Sequence, residues 1–234
     1  MRISRFVSGA ALLSIGFSLP LHAADRSVSL SPEHVSREWT MSDSSAWKSV
    51  HDAMGDAIEL FKQSDYKPDV RSPLNIALLR DSWVGDFTLN LEALQTSKEY
   101  GHRDLCLFFG FQNPTQFYYV HMATAADDHA HNIFLVDHAP RRAIAGTTTK
   151  GIDWGTNAWH HIRLERSLVE GAIRVYFDDL AKPIMTAQDK TFGEGAIGVG
   201  SFDDTGKFRA IHLHAPRISK THIEFPKPPI SKQP

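Results

Sequence analysis

The feature that most constrains this chain is a procession of short apolar or alternating segments, each closed by turn residues, with no helical periodicity after Phe61. Strands are expected over residues 87–93, 104–111, 117–122, 132–137, 160–165, 173–177, 184–187, 196–202 and 208–214. Between them stand Asn113-Pro114, Asp178-Asp179, Asp204-Thr205-Gly206 and the glycines at 193 and 195, all suited to tight turns. Such a chain reads as an all-β meander. It buries its apolar faces by stacking two antiparallel sheets, so a jelly-roll sandwich is expected over residues 39–218, with residues 159–202 as contiguous antiparallel strands. Trp47, Val50, Met54, Ile58 and Phe61 recur at helical spacing. Gly55-Asp56 interrupts them like a turn, however, and the stretch is read as a hairpin of residues 47–50 and 57–61.

The N-terminus has a different logic. Arg2 and Arg5, the apolar residues 6–19 and the segment Pro20-Leu21-His22-Ala23-Ala24 are the three parts of a secretory signal, expected to be cleaved after Ala23 or Ala24. The apolar run falls short of the roughly 20 residues that span a bilayer, so no membrane span is expected after cleavage, and the location is expected to be periplasmic or secreted. Residues 1–23 are thus the signal peptide, 24–38 a lead-in, and 219–234 a tail whose prolines at 226, 228, 229 and 234 cannot feed a sheet ladder. A formal charge of −2 without any basic run argues against nucleic acid as a partner. The one cysteine, Cys106, lies in Leu105-Cys106-Leu107-Phe108-Phe109. It excludes an intramolecular disulfide and reads as a small buried hydrophobe rather than a catalytic thiolate.

The string Trp159-His160-His161-Ile162-Arg163-Leu164-Glu165-Arg166 is followed by Gly171-Ala172-Ile173-Arg174-Val175-Tyr176-Phe177-Asp178 and by Gly195-Ala196-Ile197-Gly198-Val199-Gly200-Ser201-Phe202-Asp203. Together they resemble the C-terminal half of concanavalin A-like lectin/glucanase domains. The shared content is a tryptophan at strand entry, an alternating strand, a tight polar turn and a Gly-rich strand that lets the facing sheet approach closely. The resemblance spans residues 83–214 and, within that superfamily, is nearest to secreted bacterial domains of the 3-keto-disaccharide hydrolase type. It implies the jelly-roll fold but no single activity, because the superfamily holds lectins, glycoside hydrolases, polysaccharide lyases and non-catalytic modules. The Glu-x-Asp-x-x-Glu string of laminarinase-type members is missing from this sequence, so their retaining mechanism does not carry over.

Residues 98–142 are unusually rich in His, Tyr and charged side chains. Strand alternation in Phe117-Tyr118-Tyr119-Val120-His121-Met122 puts Phe117, Tyr119 and His121 on one face. Aromatic rings with polar tips suit the stacking of a pyranose; the competing reading is that these rings fill the space between the sheets. His102, Tyr119, His131, Asn132 and Arg141 are therefore expected to bind a sugar around one groove. Glu92, set in Leu89-Asn90-Leu91-Glu92-Ala93, is the candidate general acid or base, with Asp104 as the other carboxylate for that role and His121 as the partner.

His129 and His131, with His121, have the donors of a zinc triad without the spacing of a metal motif, and no metal is assigned. Asp203-Asp204-Thr205-Gly206 offers too few oxygens for calcium by itself and reads first as a hairpin turn, so no cofactor is expected. The expected function is an exported carbohydrate-binding domain that recognises an oligo- or polysaccharide. Its alternatives are a glycan-cleaving enzyme on the same fold, either a 3-keto-disaccharide-type hydrolase or a lyase, and a non-catalytic cell-envelope module with the proline-rich tail as spacer.

Overall fold

A computed structural model describes residues 23–53 and 55–226; the stretch read as a secretory signal, up to residue 22, and the tail from residue 227 lie outside the described residues. The strands in chain order are β1 Ala24–Ser27, β2 Trp39–Met41, β3 Trp47–Asp52, β4 Gly55–Leu60, β5 Asn75–Leu79, β6 Phe87–Gln95, β7 Asp104–Asn113 and β8 Gln116–Ala123. They continue as β9 Asn132–Asp137, β10 Arg142–Ala143, β11 Ala145–Thr148, β12 His160–Ser167, β13 Ala172–Phe177, β14 Met185–Gln188, β15 Ala196–Ser201 and β16 Gly206–Ala215. Among the described residues the one α-helix, α1 Pro32–Glu38, opens with Pro32 in its first turn and buries Val35. The stretch from Trp47 is the expected hairpin, β3 against β4, with Trp47 opposite Leu60. Among the described residues no helix is long and apolar enough to cross a membrane.

Two antiparallel sheets result. One has nine strands in the order β11-β14-β13-β12-β6-β16-β4-β3, with β1 added against β16; the other has seven, β10-β9-β8-β7-β15-β5-β2. This is the expected two-sheet jelly roll, but it is not a meander. After β14 the chain crosses to the second sheet, where β15 inserts between β7 and β5, so residues 159–202 are not contiguous strands of one sheet. The turn after β15 then returns to the first sheet, and Asp203-Asp204-Thr205 is a crossover rather than a hairpin turn. The Gly-rich strand also has a different reason: a Cβ on Gly198 or Gly200 would sit 2.3 Å from Ala77 O or 1.9 Å from Asn75 O. It is the neighbouring strand β5, not the facing sheet, that comes close.

Alternation decides the interior. Leu89 and Leu91 of β6, Ile162 and Leu164 of β12, and Tyr118, Val120 and Met122 of β8 point between the sheets and form one apolar core. The outer face of the seven-stranded sheet carries a second cluster of Cys106, Phe108, Phe117, Tyr119 and Phe134, covered by Tyr66, with Val70, Ile223 and Phe225 packed against it. Burying each such ring is worth about 1.5–3 kcal/mol. Residues 61–74 and 221–226 are therefore held on that face by apolar contact, Phe225 lying edge-on to Tyr66 (5.5 Å) and to Phe111 (6.0 Å).

Candidate functional site

The expected aromatic face exists but is closed. Tyr119 and Phe117 do point away from the inter-sheet core, yet both are fully buried; Tyr119 stacks on Phe134 with centroids 5.1 Å apart. Where β7 begins and β8 and β15 end, the same face becomes polar. Asp104, first in β7, is completely buried. Its Oδ2 accepts the Phe202 N–H (2.8 Å) and the Cys106 thiol (3.1 Å), and His121 Nε2 stands 3.5 Å away. Its Oδ1 is buried with no hydrogen-bond partner. Burial pushes the Asp104 carboxyl well up, opposed by the Phe202 N–H and reinforced by the Asp204 charge.

The histidines behind this end are structural. His121 Nδ1 accepts the His131 backbone N–H (3.2 Å), which places the ring proton on Nε2, facing Asp104. Burial, then the Arg141 and His102 charges, lower its pKa to about 3. His131 sits in the left-handed region at φ 51°. Its Nδ1 accepts the Ala123 N–H (3.3 Å), so Nε2 is protonated and donates to Thr149 Oγ1 (2.8 Å), and burial lowers its pKa to about 4. The zinc triad considered from sequence does not assemble, because backbone N–H groups occupy one ring nitrogen on both His121 and His131. Asn132, opposite His121 in register, uses Oδ1 to accept the Ala145 N–H (3.1 Å).

Arg141 caps the polar end. Its guanidinium lies 4.0 Å from the Phe202 ring centroid and 5.0 Å from that of Phe134, and Nη2 donates to His129 O (2.8 Å). Beneath it, Arg141 Nη1 and the Tyr119 hydroxyl are buried without hydrogen bonds of normal geometry. Around it the surface opens: the Tyr100 ring is 45% exposed, His102 Nε2 pairs with Asp127 Oδ2 at 2.5 Å, and Asp203 faces solvent. Burial, then the neighbouring Asp204, raise the Asp203 carboxyl, while Arg141, His102 and Arg71 pull it down. The Asp127 carboxyl is lowered, chiefly by the His129 N–H.

Glu92 is not part of this group. It lies on the nine-stranded sheet, paired with Arg209 Nε at 2.6 Å, and Arg209 in turn covers the Trp159 ring at 3.9 Å. Glu92 is on the outward side of its own sheet, whereas the expected groove required it on the other sheet. His102, His121, His131, Asn132, Tyr119 and Arg141 thus lie near one end of the seven-stranded sheet, but with Glu92 on the other sheet and Tyr119, His121 and His131 buried they do not line the expected shared groove. Sequence reasoning underweighted Tyr100 and Asp203, whose only signal was their place among the charged residues near the ends of β7 and β15. Away from this end, a concavity of about 1130 Å³ runs beside β2 between Tyr66, Lys67, Asp69 and the 222–226 segment.

No protein-family model matches this chain, and no curated protein matches it significantly. Solved structures do. A carbohydrate-binding module, CBM66 of Bacillus subtilis, superposes with a TM-score of 0.54 at 19% identity, covering 76% of this chain and 96% of that one. The fold is the concanavalin A-like jelly roll. Winged bean acidic lectin, complexed with methyl-α-D-galactose, gives 0.50 at 11% identity over 86% of this chain and 100% of its own. Peanut lectin gives 0.51 at 9% identity over 82% and 97%. In the concanavalin A-like architecture seen here, both faces of the seven-stranded sheet are packed, so only its margins are open to a ligand.

Proposed function

We propose that this is an exported carbohydrate-binding domain that takes an oligo- or polysaccharide at the polar end of the seven-stranded sheet. The observation that carries the reading is the half-exposed Tyr100 ring beside the His102–Asp127 pair, Asp203 and the Arg141 guanidinium. A flat ring can cover the C–H face of a sugar while imidazole, carboxylate and guanidinium groups take its hydroxyls, which is the division of labour a glycan site needs. The folds of the bacterial module and the two legume lectins agree with this reading, and the N-terminal leader supports export to the periplasm or medium.

A second reading, a glycan-cleaving hydrolase or lyase, is favoured by Asp203, a solvent-facing carboxyl near the His102 imidazole, the pairing of groups that general acid–base catalysis uses. Asp104 cannot serve there, because it is sealed from substrate. The test is a glycan array on the mature protein beside Tyr100→Ala and Arg141→Ala, with Lys67→Ala in the concavity beside β2 as a control. Loss of a stacked ring is worth about 1 kcal/mol or more, so Tyr100→Ala should weaken binding at least about fivefold. Binding that survives both rim variants and fails in Lys67→Ala would move the site to that concavity. Turnover of keto-disaccharides or polysaccharides that vanishes in Asp203→Asn would establish the enzyme. Neither binding nor turnover across a broad panel would leave a cell-envelope module.

A further inference from the structure

We infer that Asp104, Asp203 and Asp204 hold a hard divalent cation of the calcium class. One oxygen from each carboxylate lies within 4.8 Å of the others, the spacing of ligands around a common ion whose metal–oxygen distances are about 2.3–2.6 Å. Proximity of acidic groups is not enough, and the decisive observation is the asymmetry of Asp104. Both side-chain hydrogen bonds it accepts, from Phe202 N and Cys106 Sγ, go to Oδ2, and His121 Nε2 stands 3.5 Å from the same oxygen. Oδ1, equally buried, receives none. A buried carboxylate oxygen left bare is costly, and a cation supplies what no N–H on this chain does.

The neighbouring ligand is also held in place. Asp204 Oδ2 accepts the Tyr100 hydroxyl and the Asp104 backbone N–H, each at 2.8 Å, while its backbone carbonyl accepts Ser201 Oγ at 2.6 Å. Outer-shell bonds of this kind fix a ligand before the ion arrives. Asp203, facing solvent, gives the ion a way in and leaves coordination positions for water. The donor set selects the metal. The Cys106 thiol is spent donating to Asp104 Oδ2, and His121 has one nitrogen taken by a backbone N–H, so soft and borderline ions find neither a free sulfur nor a free imidazole. Irregularly placed carboxylates completed by water suit the 6–8 flexible ligands of Ca²⁺ better than the strict octahedron of Mg²⁺. The inference does not depend on the glycan reading.

Calorimetric titration of chelator-stripped mature protein with CaCl₂ and MgCl₂ tests it, beside thermal unfolding with and without EDTA. One Ca²⁺ per chain is expected, with little response to Mg²⁺ and a melting temperature that falls on chelation and returns with calcium. Asp203→Asn is the informative variant, because Asp203 is exposed and its loss does not threaten folding as loss of Asp104 would. It should bind Ca²⁺ at least about tenfold more weakly, as ligand charge sets affinity. In EDTA it should melt no lower than wild type, because it relieves repulsion among three carboxylates; in excess calcium it should melt lower. That inversion of rank is not expected of a merely structural residue. No calcium heat up to about 10 mM, beyond the weak end of extracellular calcium modules, would overturn the inference, and so would unchanged affinity in Asp203→Asn.

Discussion

His131 offers the cleanest measurement of how this site is built. Its ring is buried, neutral and held by two hydrogen bonds, and its pKa is lowered from 6.5 to about 4. Because the folded value lies below the unfolded one, only the unfolded chain takes up a proton as the pH falls through 6.5. Stability from this residue is fully present above pH 6.5 and is lost progressively down to about pH 4. The full shift corresponds to roughly 3.4 kcal/mol, of which about 2 kcal/mol is already lost at pH 5. His131→Asn is the appropriate perturbation. Asparagine tolerates the left-handed backbone at this position, and its Oδ1 can accept the Ala123 N–H in place of Nδ1. Urea unfolding of both proteins in EDTA from pH 7.5 to 4.5 gives the difference in stability at each pH. Other titrations, among them the lowered His121 and the oppositely acting, raised Asp104, are common to both proteins and cancel. The advantage of wild type over the variant should shrink by about 2 kcal/mol between pH 7.5 and 5. Curves that stay parallel across that window would refute the claim that His131 is a neutral scaffold residue.

Two further outcomes follow from the packing. Gly200→Ala places a Cβ 1.9 Å from Asn75 O, on the backbone of the adjacent strand, and should cost at least about 3 kcal/mol or abolish soluble expression; a fully soluble variant with near-native unfolding would contradict the register of β15 on β5. Glu92→Gln should leave glycan binding unaltered on the same array and lower stability by no more than about 1 kcal/mol, since it breaks a partly exposed pair with Arg209 on the other sheet.

Strands β6, β12 and β16 were readable because each has one face inward and one outward, the pattern that alternation detects. Strand β5 was not, although Asn75-Ile76-Ala77-Leu78-Leu79 is every bit as regular. All five of its residues are buried, because the inter-sheet core takes one side and the second apolar cluster the other, and a strand covered on both faces has no alternation to show. The polar edge strand β1 was missed for the opposite reason: it contributes hydrogen bonds to β16 and almost no apolar surface. In the site, alternation placed Tyr119 and His121 on the same face, which the structure shows to be the outer one. What it could not carry was which sheet a strand joins, and that single unknown separated Glu92 from the rest. Nor could local pattern join Asp104 to Asp203 and Asp204, residues about a hundred positions apart that meet only because β15 inserts beside β7.

The covered outer face explains why chemistry collects where it does. Phe108, Phe117, Tyr119 and Phe134 would be a broad apolar platform if bare, and a face that large is unstable in water unless something occupies it. Here the chain occupies it with Tyr66, Ile223 and Phe225, which stabilise the sheet but leave a ligand no access to its middle. Packing stops at the strand ends, where Asp104, His121 and the β15 crossover bring carboxylates, imidazole and the Arg141 guanidinium to the boundary between the buried face and solvent. Charged groups at such a boundary interact more strongly than on an open surface, yet a ligand can still reach them. If the proposed cation and glycan readings hold, the Tyr100 ring at that margin with the cation behind it makes a site whose affinity rests on a few contacts rather than a long aromatic track. On that ground short glycans, or the ends of long ones, should be preferred over the interior of a polymer.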